Sequence, residues 1–164
     1  MNIHLYLWIV LSSFLSMPAV SQQGTTEESM LRNIVFMRTE GLIMTQFMEK
    51  YSKDKKILML CNSAKDYYEK TQPTLLEVVK GKSLDLDKGQ FEQIWKAAQK
   101  SFETYDVKNE AIWNSLYEEH VQASIRAYMM LLQEREWPDV TYFALEALPG
   151  LINLQEEFTK LKLK

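Results

Sequence analysis

Cysteine and histidine are nearly missing from this chain of 164 residues, and both shortages remove whole classes of chemistry. With Cys61 as the one cysteine, no intramolecular disulfide can form, and a c-type haem attachment, which needs two cysteines, is excluded. The two histidines are His4, just ahead of a leading apolar run, and His120. A single histidine cannot make the HExxH pattern or a tri-histidine zinc site. A di-iron bundle needs two Glu-x-x-His pairs, and here Tyr117 stands three before His120. Glycine is scarce as well. Five glycines form no phosphate-cradling loop, nucleophile elbow or dinucleotide fingerprint. The net charge is −3 with the two signs interspersed, so the basic stripe that nucleic acid calls for is absent. No stretch alternates with period two, and no strand is predicted.

The chain opens on an apolar run, Leu5 to Met17, too short for a bilayer span of about 20 residues. Pro18-Ala19-Val20-Ser21 follows, with small side chains where a signal peptidase reads. Residues 1–21 are therefore expected to be a secretory signal peptide, although Met1-Asn2-Ile3-His4 carries no Lys or Arg. No Cys follows the cleavage site and there is no Asn-x-Ser/Thr sequon. Export is the expectation, to a bacterial periplasm in preference to extracellular secretion, with no integral membrane segment after cleavage. Residues 22–29 read as a flexible lead, with Thr25 and Glu28 at capping-box spacing, and residues 30–164 as one helical domain.

What is abundant is helical periodicity. Met30, Ile34, Met37, Gly41, Met44, Met48 and Tyr51 alternate steps of four and three and form one stripe. Leu31, Val35, Phe36, Leu42, Ile43 and Phe47 flank it, so a helix over residues 26–52 is apolar around most of its circumference. Asp54 can cap a second helix, which Pro73 ends or kinks, and a short helix over residues 74–79 follows. Residues 81–89 read as a loop. A third amphipathic helix carries Phe91, Ile94, Trp95, Ala98, Phe102 and Tyr105. A long helix is expected over residues 108–136, broken by Trp137-Pro138, then a short one over 138–147. Pro149-Gly150 turns the chain into a last helix bearing Leu151, Leu154, Phe158 and Leu161. The predicted fold is all-α, an irregular bundle of about five to seven helices around two long central ones.

Few residues invite a chemical role. His120 falls inside an apolar arc while Glu118 and Glu119 fall on the polar face, which predicts a core histidine hydrogen-bonded to a neighbour and not a metal cluster. Cys61 sits on an apolar face with no glycine-rich turn to form an oxyanion hole, and is expected to be buried and inert or to pair between chains. Trp137-Pro138-Asp139 resembles the general-acid loop of tyrosine phosphatases. Those enzymes also need Cys followed six residues later by Arg, and Tyr67 holds that place. Near Gly89 the aspartates are out of register for an EF-hand and suit helix capping. The basic clusters are Lys53-Lys55-Lys56 and the tail Lys160, Lys162 and Lys164.

No catalytic residue, metal site or cofactor is therefore expected. Methionine is flexible and over-used on surfaces that adapt to apolar partners. That singles out Met37, Gly41, Met44 and Met48 as the expected place for a partner helix or ligand. The composition points to a non-catalytic interaction or accessory protein, an adaptor or assembly component. Its alternatives are a carrier of an apolar ligand held between helices and a hydrolase of unrecognised type.

Overall fold

In a computed structural model, the residues described are 27–80, 82, 89, 92–93, 95–96, 99–100, 110–133 and 136–162. The expected signal peptide, the start of the lead, the 81–89 loop and most of the third amphipathic helix lie outside them. Four long α-helices and no strand are found among the described residues: α1 Glu27–Tyr51, α2 Lys55–Val79, α3 Glu110–Leu131 and α4 Pro138–Lys162. Outside these four, Glu92, Gln93, Trp95, Lys96, Gln99 and Lys100 are helical and exposed. No helix of the described residues is long and apolar enough to cross a membrane.

The all-α expectation holds, but the division into helices differs because both prolines inside apolar periodicity fail to break it. Pro73 lies within α2 and Pro149 within α4. A helical proline lacks an N–H and crowds the carbonyl four residues back. Both prolines face solvent, so the carbonyls they free, at Glu69 and Leu145, open toward water. Buried side chains on either side, Thr71 and Leu75 in α2 and Ala147 and Leu151 in α4, hold the helix across the defect. Two pairs of predicted helices thus become two single ones. The other long helix stops earlier than expected, at Leu131, where Gln133 N donates to Met130 O and tightens the chain toward Trp137. Asp54 caps α2 as predicted, its Oδ1 accepting from Lys56 N at 2.7 Å and Ile57 N at 3.4 Å.

The four helices touch in a ring of neighbouring pairs. α1 packs on α2 and α3, and α4 packs on α2 and α3. Arg38 meets Thr71 while Glu49 meets Lys65, so α1 and α2 are antiparallel. Glu40 meets His120 while Ser52 meets Glu110, so α3 is antiparallel to α1 as well. At one end of the bundle Lys82 joins Glu27 at the start of α1 to Asp139 at the start of α4, with contacts of 2.5 and 2.8 Å.

Every helix feeds the core. Leu31, Ile34, Leu60, Trp113, Tyr117, Val121, Val140 and Phe143 are each at most 2% exposed. Phe36 and Ile43, on the far side of α1, are buried too, so α1 is covered around most of its circumference as its apolar breadth predicts. Gly150 lets α4 approach α2 closely, because a Cβ there would lie 2.5 Å from Cδ2 of the Tyr67 ring.

Candidate functional site

The seam that α1 turns into the core is not the most apolar stripe of its sequence. The deeply buried positions are Leu31, Ile34, Arg38, Gly41, Thr45, Met48 and Ser52, which alternate steps of three and four. They include three polar side chains. The methionine-rich stripe shares Ile34, Gly41 and Met48 with this seam and departs from it by one residue at the other positions. Of its members, Met37 is half-buried, Gly41, Met44 and Met48 are buried by the chain's own helices, and Tyr51 is exposed.

Arg38 brings a guanidinium into the core at 4% exposure. Nη1 donates to Thr71 Oγ1 at 2.7 Å, and Nη2 donates to Tyr68 O at 2.9 Å and to Gln72 Oε1 at 3.1 Å. The rings of Tyr68, Phe143 and Tyr67 lie 5.2, 5.5 and 5.7 Å from its central carbon. A buried cation is costly unless its donors are met. Here neutral oxygens meet them, and aromatic faces supply the negative potential. The Tyr128 hydroxyl takes hydrogen bonds from Arg38 and Tyr67.

A second polar chain crosses from α1 to α3 and α2 around Gly41. Glu40 Oε2 lies 3.2 Å from His120 Nδ1, and the imidazole is 8% exposed. Burial pushes the Glu40 carboxyl up, but the hydrogen bond and charge of His120 outweigh it and hold the carboxyl below its ordinary value. On the other side of the ring, Nε2 and the Tyr68 hydroxyl both crowd Gly41. A Cβ there would meet the Tyr68 Oη at 1.7 Å and His120 Nε2 at 2.8 Å. Tyr68 is hydrogen-bonded to Tyr117, and Tyr117 Oη lies 2.9 Å from Thr45 Oγ1. Thr45 donates its single hydroxyl proton to Gly41 O at 2.8 Å, which makes the 2.9 Å contact a donation from Tyr117. Trp113 Nε1 donates to Met44 O at 2.9 Å beside this chain. Burial pushes all four core phenols up, Tyr117 to about 12.

The imidazole is anchored to Glu40 and turned into the packed centre. Cys61 is a buried free thiol, pushed up to about 12 by burial and by Glu49. The thiol is therefore protonated at neutral pH and a poor nucleophile. Among the described residues no three His, Cys, Asp or Glu side chains gather as a metal site would require.

Two surface features lie outside that core. On α4, Tyr142, Leu145, Pro149 and Ile152 repeat at three- and four-residue steps and are exposed. They occupy the face opposite the buried stripe of Phe143, Ala147, Leu151 and Leu154, so α4 is apolar on both sides. Between α2 and α4 runs an open groove of about 710 Å³, with Met59 and Leu60 on one wall and Leu161 on the other. A smaller hollow of about 210 Å³ adjoins it and shares Lys56 and Leu161.

The fold and these features define an all-α protein with four long helices among the described residues and a polar core lock. No protein-family model, no curated protein and no solved structure matches the chain.

Arg38, Glu40 and Thr45 were not singled out by sequence. The signal was present: counting by three and four from Leu31 through Ile34 lands on Arg38, Gly41, Thr45 and Met48, and a polar residue inside such a row marks a buried one. The partners of these residues lie on other helices, which periodicity alone does not reveal.

Proposed function

We propose that this is an exported, non-catalytic helical interaction protein, an adaptor or assembly component that holds a protein partner on the outward face of α4. The observation that carries the reading is the exposed stripe of Tyr142, Leu145, Pro149 and Ile152. Scattered surface hydrophobics are ordinary, but an ordered row along one helix is the form in which a helix presents itself to an apolar groove or a second helix. Pro149, in the middle of that row, cannot donate to the carbonyl of Leu145. The locked His120 and the protonated Cys61 support a non-catalytic role. Export rests on the leading apolar run and its small-residue site.

The test is co-purification of the intact protein from its source cells with and without Tyr142→Lys and Ile152→Lys. The expected result is one stoichiometric partner that the double substitution releases while the bundle stays folded. Retention of the same partner by the substituted protein would place the contact elsewhere.

The groove between α2 and α4 favours a second reading, a carrier of an apolar ligand. The expected seat at Met37, Gly41, Met44 and Met48 suits that reading less well. Three of these four residues are buried, and the tight approach of Tyr68 and His120 to Gly41 leaves no room there for a ligand.

A further inference from the structure

Two lysines that are about a hundred residues apart in sequence come to one groove near an end of the bundle. Lys56, at the start of α2, and Lys160, near the end of α4, both line the groove between these helices. Lys53 and Lys55 are exposed beside Lys56 in the chain. The groove floor is apolar. Leu60 is buried beneath it, Leu161 is half-buried, and Met59 stands 69% exposed on its wall. Glu157 is the one acid in its lining, and Lys160 lies 3.9 Å from Glu156 on the solvent side. Beyond Lys56 the smaller hollow holds Asn114, whose side-chain oxygen is buried without a partner.

We infer that this groove binds a single-chain anionic amphiphile of the fatty-acid type. Its volume lies in the range that buries most of a small ligand. The acyl chain lies along Leu60, Leu161 and Met59, where covering the methionine removes a flexible apolar side chain from water. The carboxylate sits between the ammonium groups of Lys56 and Lys160, at the polar mouth of the groove. A neutral chain of the same length would leave both lysines without a counter-ion from the ligand. The site is separate from the outward stripe of α4 and stands whether or not that stripe holds a protein.

The experiment is titration of the full chain with a dansyl-labelled fatty acid, followed by displacement with palmitate or hexadecanol. A saturable signal with one probe per chain is expected, displaced by palmitate and poorly by hexadecanol. Met59→Glu should weaken the probe about tenfold by placing a charge against the acyl chain. Lys56→Glu combined with Lys160→Glu should weaken it about fivefold, an effect that fades with salt. Arg126→Gln, exposed on α3, should leave binding unchanged. Circular dichroism melts identify any variant that fails to fold; all the substituted positions face solvent, and Met59→Gln is the milder replacement for Met59→Glu. Absence of saturable binding, equal displacement by the alcohol, or full binding by folded Met59→Glu overturns the inference. So does a chain that sediments with phosphatidylglycerol vesicles yet ignores the monomeric probe, because its ligand is then a bilayer surface.

Discussion

Arg38 Nη1 donates to Thr71 Oγ1 at 2.7 Å across the α1–α2 interface, inside a core that gives the guanidinium no carboxylate among its hydrogen-bond partners. The arginine is held by a hydroxyl, a backbone carbonyl, an amide and three ring faces. Removing it leaves a cavity and takes one donor each from Thr71 Oγ1, Tyr68 O and Gln72 Oε1.

Arg38→Ala is therefore expected to lower unfolding stability by about 3 kcal/mol, since hydrogen bonds of charged groups and lost packing both count. Arg38→Met fills the volume without burying a charge and should cost clearly less. Urea unfolding with a common slope checks both. Equal losses for the two would mean that the donors, and not the packing, dominate.

Gly41→Ala sets helix propensity against packing. Alanine gains about 1 kcal/mol over glycine in a helix interior. Its Cβ, however, would overlap the Tyr68 hydroxyl and press on His120 Nε2. Overpacking of this kind costs about 1–3 kcal/mol, so a net loss is expected. Tyr68→Phe removes the nearest atom, and the double mutant should lose less than the sum of the two single ones. Additive losses in the cycle would contradict the close approach.

The Glu40–His120 pair makes stability fall on the acid side. Glu40 is held below its ordinary value of 4.5 when folded, so the unfolded chain takes up that proton first as pH drops. Its contribution is fully present above about 4.5 and is lost as pH falls through the lower folded value. Glu40→Gln should flatten the acid limb of a melting-temperature profile. An unchanged limb would remove Glu40 from the account. The groups that face His120 are Glu40 from α1, Tyr68 from α2 and Tyr117 from its own helix, and the two phenols stay neutral throughout this range.

Cys61 should ignore thiol reagents in the folded protein. Burial hides it and pushes its ionisation up to about 12. Labelling by a disulfide reagent at neutral pH should follow the unfolding rate and appear at once in denaturant. Fast labelling in native buffer would show an open route to the α2 core.

These outcomes mark how much was legible in the sequence. The caps and the apolar faces were: Asp54 caps α2, and Cys61, expected on an apolar face, is buried. His120 was placed correctly inside an apolar arc, because its neighbours in the chain decide that face. The seam of α1 was legible in part. Ile34, Gly41, Met44 and Met48 of the expected stripe are buried, but packing also buries Arg38, Thr45 and Ser52, polar residues whose partners come from other helices. The prolines were misread for a related reason. A proline's cost is local, but whether the helix survives depends on tertiary contacts either side of it. The groove between α2 and α4 could not be foreseen at all, since it exists only once Lys56 and Lys160 are brought together.

The proposal that the outward face of α4 holds a protein partner is tested most directly by photo-crosslinking in the source cells. A photoreactive residue at Leu145 should give one crosslinked species of discrete mass, lost when Tyr142→Lys and Ile152→Lys are added. The same probe at Lys70, exposed on α2, should not give that species. No crosslink at Leu145, or an identical pattern from Lys70, would contradict it.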